Sequence, residues 1–102
     1  MDRIAMLSEI LSANPGDAFA RYGLAMEYAK AGQVEAAMAE FTRLLELSPD
    51  YVPGYQMGAQ TLAAAGRTEE ARQMFQRGIA AAARASNAHA QQEMQGMLDE
   101  LS

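Results

Sequence analysis

The chain has 102 residues, enough for one domain of modest size, and a formal net charge of −5. This acidity argues against nucleic acid or an anionic membrane as the main partner, and the absence of cysteine excludes disulfides and thiolate metal sites. The chain lacks an apolar run of the roughly 18 residues that a membrane span requires, and its first residues do not resemble a secretory signal. We therefore expect a cytoplasmic protein.

Three helices are predicted in the first half of the chain. The first covers residues 2–13, where apolar residues recur at helical spacing, and it ends at Asn14-Pro15-Gly16 because proline disfavours helix in the residue before it. The second is capped by Asp17 and ends at Gly32, which can adopt the left-handed conformation of a C-cap. The third runs from about residue 34 to residue 47.

The second half of the chain repeats this pattern. A fourth helix has Pro53 in its first turn and ends at Gly66. A fifth helix is predicted to begin after an N-cap at Thr68 and to continue into the alanines 80–83, and a sixth follows Ser86-Asn87. These six helices leave no segment for a strand.

Four pairs of small or aromatic residues are separated by the same interval of 34 residues. They are Ala25 and Ala59, Gly32 and Gly66, Ala37 and Ala71, and Phe41 and Phe75. A repeat of this length is typical of solenoid proteins, in which each unit stacks only on its neighbours.

This organisation resembles the tetratricopeptide repeat family, whose repeat of about 34 residues carries a small residue in the first helix and A-x3-F in the second. The first unit reads Leu24-Ala25-x2-Tyr28, then Ala37-x3-Phe41, then Pro49; the second reads Gly58-Ala59-x2-Leu62, then Ala71-x3-Phe75, with Ala83 in place of the closing proline. The resemblance implies an all-α right-handed superhelix of six helices in a single domain, residues 1–102. This domain would contain a partial repeat (1–16, second helix only), two repeats (17–50 and 51–84) and a C-terminal capping helix (85–102).

The resemblance also implies a function, because the first helix of each repeat in this family lines a concave groove that holds a peptide or helix of a partner protein. The chain would then be a non-enzymatic interaction module with no cofactor. By this analogy, the groove residues are Phe19, Tyr22, Met26 and Lys30 from helix two, Gln56, Gln60 and Ala63 from helix four, and Met94 and Met97 from helix six. Methionine suits surfaces that bind by repacking. The alternative is that the apolar members are core residues.

One subfamily is disfavoured by the residues in this groove. Tetratricopeptide domains that bind the C-terminal carboxylate of chaperones place lysine, arginine and asparagine along it. The matching positions here are Tyr22, Met26, Met57, Asn87 and Gln91, which cannot form a cationic clamp.

A second class of function is self-association through helix one. Without the first helix of its repeat, this helix would leave Met6 and Ile10 at an exposed edge. A homodimer could bury that edge.

Catalysis and metal binding are disfavoured by the sequence. His89 and Glu93 are four residues apart on a predicted helix, but a metal needs three or four converging ligands and the chain has one histidine and no cysteine. Glu69 and Glu70 are adjacent, so they point away from each other and cannot act as a facing acid–base pair.

Overall fold

The computed structural model describes residues 2–101, and these residues form six helices and no strand. The helices are α1 (Arg3–Ala13), α2 (Ala18–Lys30), α3 (Val34–Leu47), α4 (Val52–Ala64), α5 (Thr68–Arg84) and α6 (Ala88–Glu100). Each helix packs on its neighbours in the chain, and α2 also contacts α4. The all-α repeat architecture with six helices is confirmed.

The helices begin and end where local signals place them. The carboxylates of Asp2 and Asp17 accept hydrogen bonds from backbone N–H groups three residues later, at 2.8 and 3.0 Å, and Asn87 does the same with its amide oxygen at 3.0 Å. Gly32 and Gly66 follow α2 and α4 with φ of +76° and +79°, as expected for left-handed C-caps.

The predicted cap of α5 is wrong. Thr68 is the first helical residue, and the N-cap is Arg67, which has no side-chain cap bond. The guanidinium of Arg67 instead donates hydrogen bonds to Glu70, in the first turn, and to Glu35 of α3. These ion pairs connect the amino ends of α3 and α5.

The core contains the residues that define the repeat. Ala25, Ala37, Phe41, Ala59 and Ala71 are fully buried, and Phe75 is 1% exposed. Alanines at these positions allow neighbouring helices to approach closely, so that the phenylalanine rings fill the remaining space. The interval of 34 residues therefore reflects the packing of the core.

The helix α5 is longer than its counterpart α3, with 17 residues against 14. Ala83 replaces the closing proline, so α5 continues to Arg84 before the chain turns through Ser86, whose φ is +56°. The N-caps of α2, α4 and α6 are Asp17, Tyr51 and Asn87, separated by 34 and then 36 residues. Residues of α6 are thus shifted by two positions relative to a strict 34-residue register.

Gly78 of α5 lies where α5 closely approaches both α4 and α6. A Cβ atom at this position would be 2.6 Å from the Cβ of Tyr55 and 2.6 Å from the sulfur of Met94. The sulfur could move, but the Cβ of Tyr55 is attached directly to the backbone of α4. The absence of a side chain at Gly78 therefore determines how closely α5 approaches α4.

We expect Gly78→Ala to lower the free energy of unfolding by about 1–3 kcal/mol, because overpacking outweighs the gain in helix propensity of about 1 kcal/mol. The control is Gly96→Ala in α6, where an added Cβ meets no atom within 4 Å. That change should stabilise the protein by about 0.5–1 kcal/mol. Urea denaturation measures both values, and stabilisation by both substitutions would contradict the close approach at Gly78.

Candidate functional site

The helices α2, α4 and α6 lie side by side in one layer. The helix α2 contacts α4, and two side chains of α4 bind α6: Nε2 of Gln56 donates to Glu93 at 2.8 Å, and Nε2 of Gln60 donates to the sulfur of Met97 at 3.1 Å. This layer contains the first helix of each repeat. The predicted groove lies on the surface of this layer if the family analogy holds for α2, α4 and α6.

Two adjoining cavities open on this layer, and we call the surface that they form the groove. The first, of about 380 Å³, lies between the carboxyl ends of α2 and α4 and is lined mainly by apolar groups, among them Met26, Ala29, Val34, Met57 and Ala64, with Lys30 at its side. The second, of about 290 Å³, lies between α4 and α6 and is lined by Gln60, Ala63, Phe75, Met97, Glu100 and Leu101. Gln60 lines both cavities, so they are neighbours.

The structure brings most of the predicted groove residues together. Met26, Lys30, Gln60, Ala63 and Met97 line the two cavities. Gln56 lies on the same layer, one turn of α4 before Gln60, where it is bonded to α6. Whether these residues contact a partner stays a prediction.

Phe19 and Tyr22 differ from this group and from each other. The side chain of Phe19 is 77% exposed near the amino end of α2 and lines neither cavity. The ring of Tyr22 packs edge-on against Phe41, with 6.4 Å between centroids, and tilts against Tyr51 at 5.5 Å. Burial, together with the neighbouring Tyr51, raises the pKa of the Tyr22 phenol. Tyr22 is therefore also a packing residue, as the alternative interpretation anticipated.

The placement of Met94 in the groove is wrong. Its side chain is fully buried, and it packs against the position of Gly78. Met94 is the seventh residue after its N-cap, as Leu24 and Gly58 are after theirs, and all three are buried. The two-residue shift explains the error, because two residues turn a helical position by about 200°.

Corrected for this shift, α6 carries carboxylates at two positions that are uncharged in α4. Counted from the N-caps, the position of Met57 in α4 corresponds to Glu93, and that of Ala63 corresponds to Asp99, but neither carboxylate lines either cavity. The carboxylate of Glu93 also lies 3.3 Å from His89. Glu100, the carboxylate of α6 that lines the second cavity, was not among the predicted groove residues, although the lack of a proline at Ala83 was an available signal that the register changes.

A further cavity of about 390 Å³ lies on the other side of the molecule, between α3 and α5. Arg67 lines it together with Glu35 and Glu70, and the guanidinium donates to Glu70 at 2.7 and 2.8 Å. These hydrogen bonds hold the pKa of Glu70 below its usual value. Arg77 also lines this cavity, so its two arginines and two carboxylates leave no net charge.

Within residues 2–101, no helix is both long and apolar enough to cross a membrane. The same residues contain no group of three His, Cys, Asp or Glu side chains that could hold a metal ion.

Comparisons with known proteins agree with this architecture. The sequence pattern of the tetratricopeptide repeat matches residues 4–58 and again residues 28–93. A TPR repeat-containing protein of Pseudomonas aeruginosa is 33% identical over 95 residues, which cover 93% of this chain and 90% of that protein. The solution structure of a tetratricopeptide repeat domain protein from Salinibacter ruber is similar with a TM-score of 0.80 and 30% identity, covering 87% of this chain and 90% of that one.

A second similar structure contains a partner. It is the TPR2B domain of yeast Sti1 in complex with pHsp70, with a TM-score of 0.86, 20% identity, and coverage of 93% of this chain and 76% of that chain. At this level of identity, the comparison concerns the fold alone.

The corrected register of α6 can be tested with two methionine substitutions. Met94→Ala should lower the free energy of unfolding by about 2–5 kcal/mol, because it leaves a cavity in the core. Met97→Ala, at a half-buried position, should cost about 1 kcal/mol. Urea denaturation of both variants compares them directly, and similar small costs would mean that Met94 is exposed, as the strict register requires.

Proposed function

Because this chain belongs to the tetratricopeptide repeat family, we propose that it is a non-enzymatic module that binds a segment of another protein in the groove formed by α2, α4 and α6. Members of this family are generally protein–protein interaction modules, which supports a protein as the class of partner. The similar domain of Sti1, whose structure is a complex with pHsp70, supports the same class.

The observation that carries the proposal is the pair of adjoining cavities on one layer of helices. Ligand pockets range from about 300 to 1,000 Å³. The first cavity, of about 380 Å³, lies in the lower part of this range and is walled mainly by apolar groups, and the second, of about 290 Å³, lies just below it. Covering such walls with apolar side chains of a partner would remove them from water, which favours binding. Met26 and Met57 in the first cavity and Met97 in the second have flexible side chains that can adapt to the shape of the bound segment.

The partner would differ from a chaperone C-terminus. Tyr22, Met26 and Met57 occupy three of the five positions at which carboxylate-binding domains carry polar or cationic groups. With the register of α6 corrected, the other two positions hold His89 and Glu93 rather than Asn87 and Gln91. A carboxylate at Glu93 would repel a terminal carboxylate, so the groove favours an internal segment.

A substitution that fills the groove tests this proposal. Ala64 lines the first cavity and is exposed at the end of α4, so Ala64→Tyr should obstruct the cavity with little effect on folding. We expect binding of native partners to weaken at least about tenfold, as for loss of one or more central contacts. The measurement is capture of proteins from the native lysate, quantified by mass spectrometry against the unmodified chain.

The matched control is Ala80→Tyr, an exposed alanine of α5 that lines neither cavity of the groove. Thermal melts of both variants should be close to that of the unmodified chain. Equal capture by the unmodified chain and Ala64→Tyr would count against the groove, whereas loss of capture by both variants would point to a different surface.

Self-association through α1 is the second candidate. Met6 and Ile10 are each 41% exposed on α1, and Ile10 precedes by 34 residues Leu44 of α3, which is 1% exposed. Ile10 is thus exposed at a position whose equivalent in the next repeat, Leu44, is buried.

Light scattering after size exclusion tests this candidate. If α1 mediates self-association, the unmodified chain should be a dimer at tens of micromolar, and the double substitution Met6→Glu with Ile10→Glu should convert the dimer to a monomer. A monomeric unmodified chain would exclude it at that concentration.

A further inference from the structure

The two cavities of the groove each have one charged residue in their lining, and these residues have opposite signs. Lys30 lines the cavity between α2 and α4, and Glu100 lines the cavity between α4 and α6. The side chain of Lys30 is 70% exposed, and Glu100 is also exposed. Both charges are therefore accessible to a segment that lies across the groove.

The charges around the two cavities increase this difference in sign between the two ends of the groove. At the α2 end, Glu27 lies between two cations, 3.2 Å from Arg3 and 3.5 Å from Lys30, which leaves a net positive charge. The helix α4 in the middle contains no ionisable side chain of Asp, Glu, Lys, Arg or His. The helix α6 carries three carboxylates, Glu93, Asp99 and Glu100, with His89 and no lysine or arginine.

The spacing of the helices suggests the form of the bound segment. Packed helices are about 8–10 Å apart, so neighbouring cavities on one layer are separated by about 10 Å. Residues i and i+7 of an α-helix lie on the same face, about 10.5 Å apart along its axis. In an extended chain, residues on one face are separated by about 7 or 13 Å, which fits this distance less well.

We propose that the groove selects an amphipathic helix of a partner protein with apolar residues at i and i+7, an acidic residue at the end over α2 and a basic residue at the end over α6. This inference rests on the proposed function, because it specifies the partner of the same groove. The apolar pair enters the two cavities and supplies most of the affinity. The charges contribute orientation and selectivity, since a helix with one sign of charge at both ends faces repulsion at one of them.

Selection from a displayed library of random peptides of about 15 residues, long enough for a helix to cross three helices, tests the inference. The unmodified chain should enrich peptides with an acidic residue on one side of an apolar i, i+7 pair and a basic residue on the other. Glu100→Lys should enrich peptides that are acidic on both sides, and Lys30→Glu should enrich peptides that are basic on both sides. A peptide selected on the unmodified chain should bind Glu100→Lys about tenfold more weakly, and this difference should shrink in high salt.

The matched controls are two substitutions on α3 at exposed positions outside the two cavities. Glu46→Lys changes the net charge by the same amount as Glu100→Lys, and Arg43→Glu by the same amount as Lys30→Glu. These variants should enrich the same peptides as the unmodified chain. Enrichment of apolar peptides without the charge pattern, or an equal change with the controls, would overturn the inference and leave groove binding intact. If every peptide enriched by the unmodified chain is also enriched by Ala64→Tyr, or if no peptide is enriched at all, the proposed function fails as well.

Discussion

The close approach of helices at small residues is the constraint on which the rest of this structure depends. Ala25 and Ala37 in one repeat, and Ala59 and Ala71 in the next, are fully buried where consecutive helices meet. The large ring of each repeat, Phe41 or Phe75, can occupy the core only because its neighbours are small. This packing brings α2 and α4 into one layer, and the first cavity of the groove is the space left between their carboxyl ends.

The second repeat departs from this pattern in a way that determines the position of α6. The helix α5 ends three residues later than a strict 34-residue repeat of α3 would, and the N-cap of α6 lies two residues later. Gly78 provides space for Tyr55 on one side and Met94 on the other. Because of this shift, Met94 lies in the core, whereas a strict 34-residue register would place it in the groove. The same shift gives α6 the carboxylates Glu93 and Asp99 at positions that are uncharged in α4, so one local change in helix length alters both the core and the charge along α6.

Charge is distributed differently on the two sides of the molecule. On the side of α3 and α5, Arg67 is bonded to Glu35 and Glu70, so these charges stabilise the contact between neighbouring repeats. On the groove, Lys30 and Glu100 lie at separate cavities, and α4 places only uncharged side chains between them. Arg67 is held by two carboxylates and its side chain is 32% exposed, whereas Lys30 shares Glu27 with Arg3 and its side chain is 70% exposed. The charge of Lys30 is therefore the more accessible of the two from solution.

The sequence by itself determined the helices, most of their ends and the repeat. Those features depend on local signals, such as the cap at Asp17 and the left-handed Gly32, or on a periodicity that is visible in the chain. Only the tertiary structure decided that Met94 is buried and that Tyr22 packs on Phe41 and Tyr51. Burial depends on which helix lies opposite a residue, and the orientation of α6 depends on where α5 ends. The missing proline at Ala83 and the cap at Asn87 mark that end in the sequence, but they do not say which residues of α6 then lie against α5.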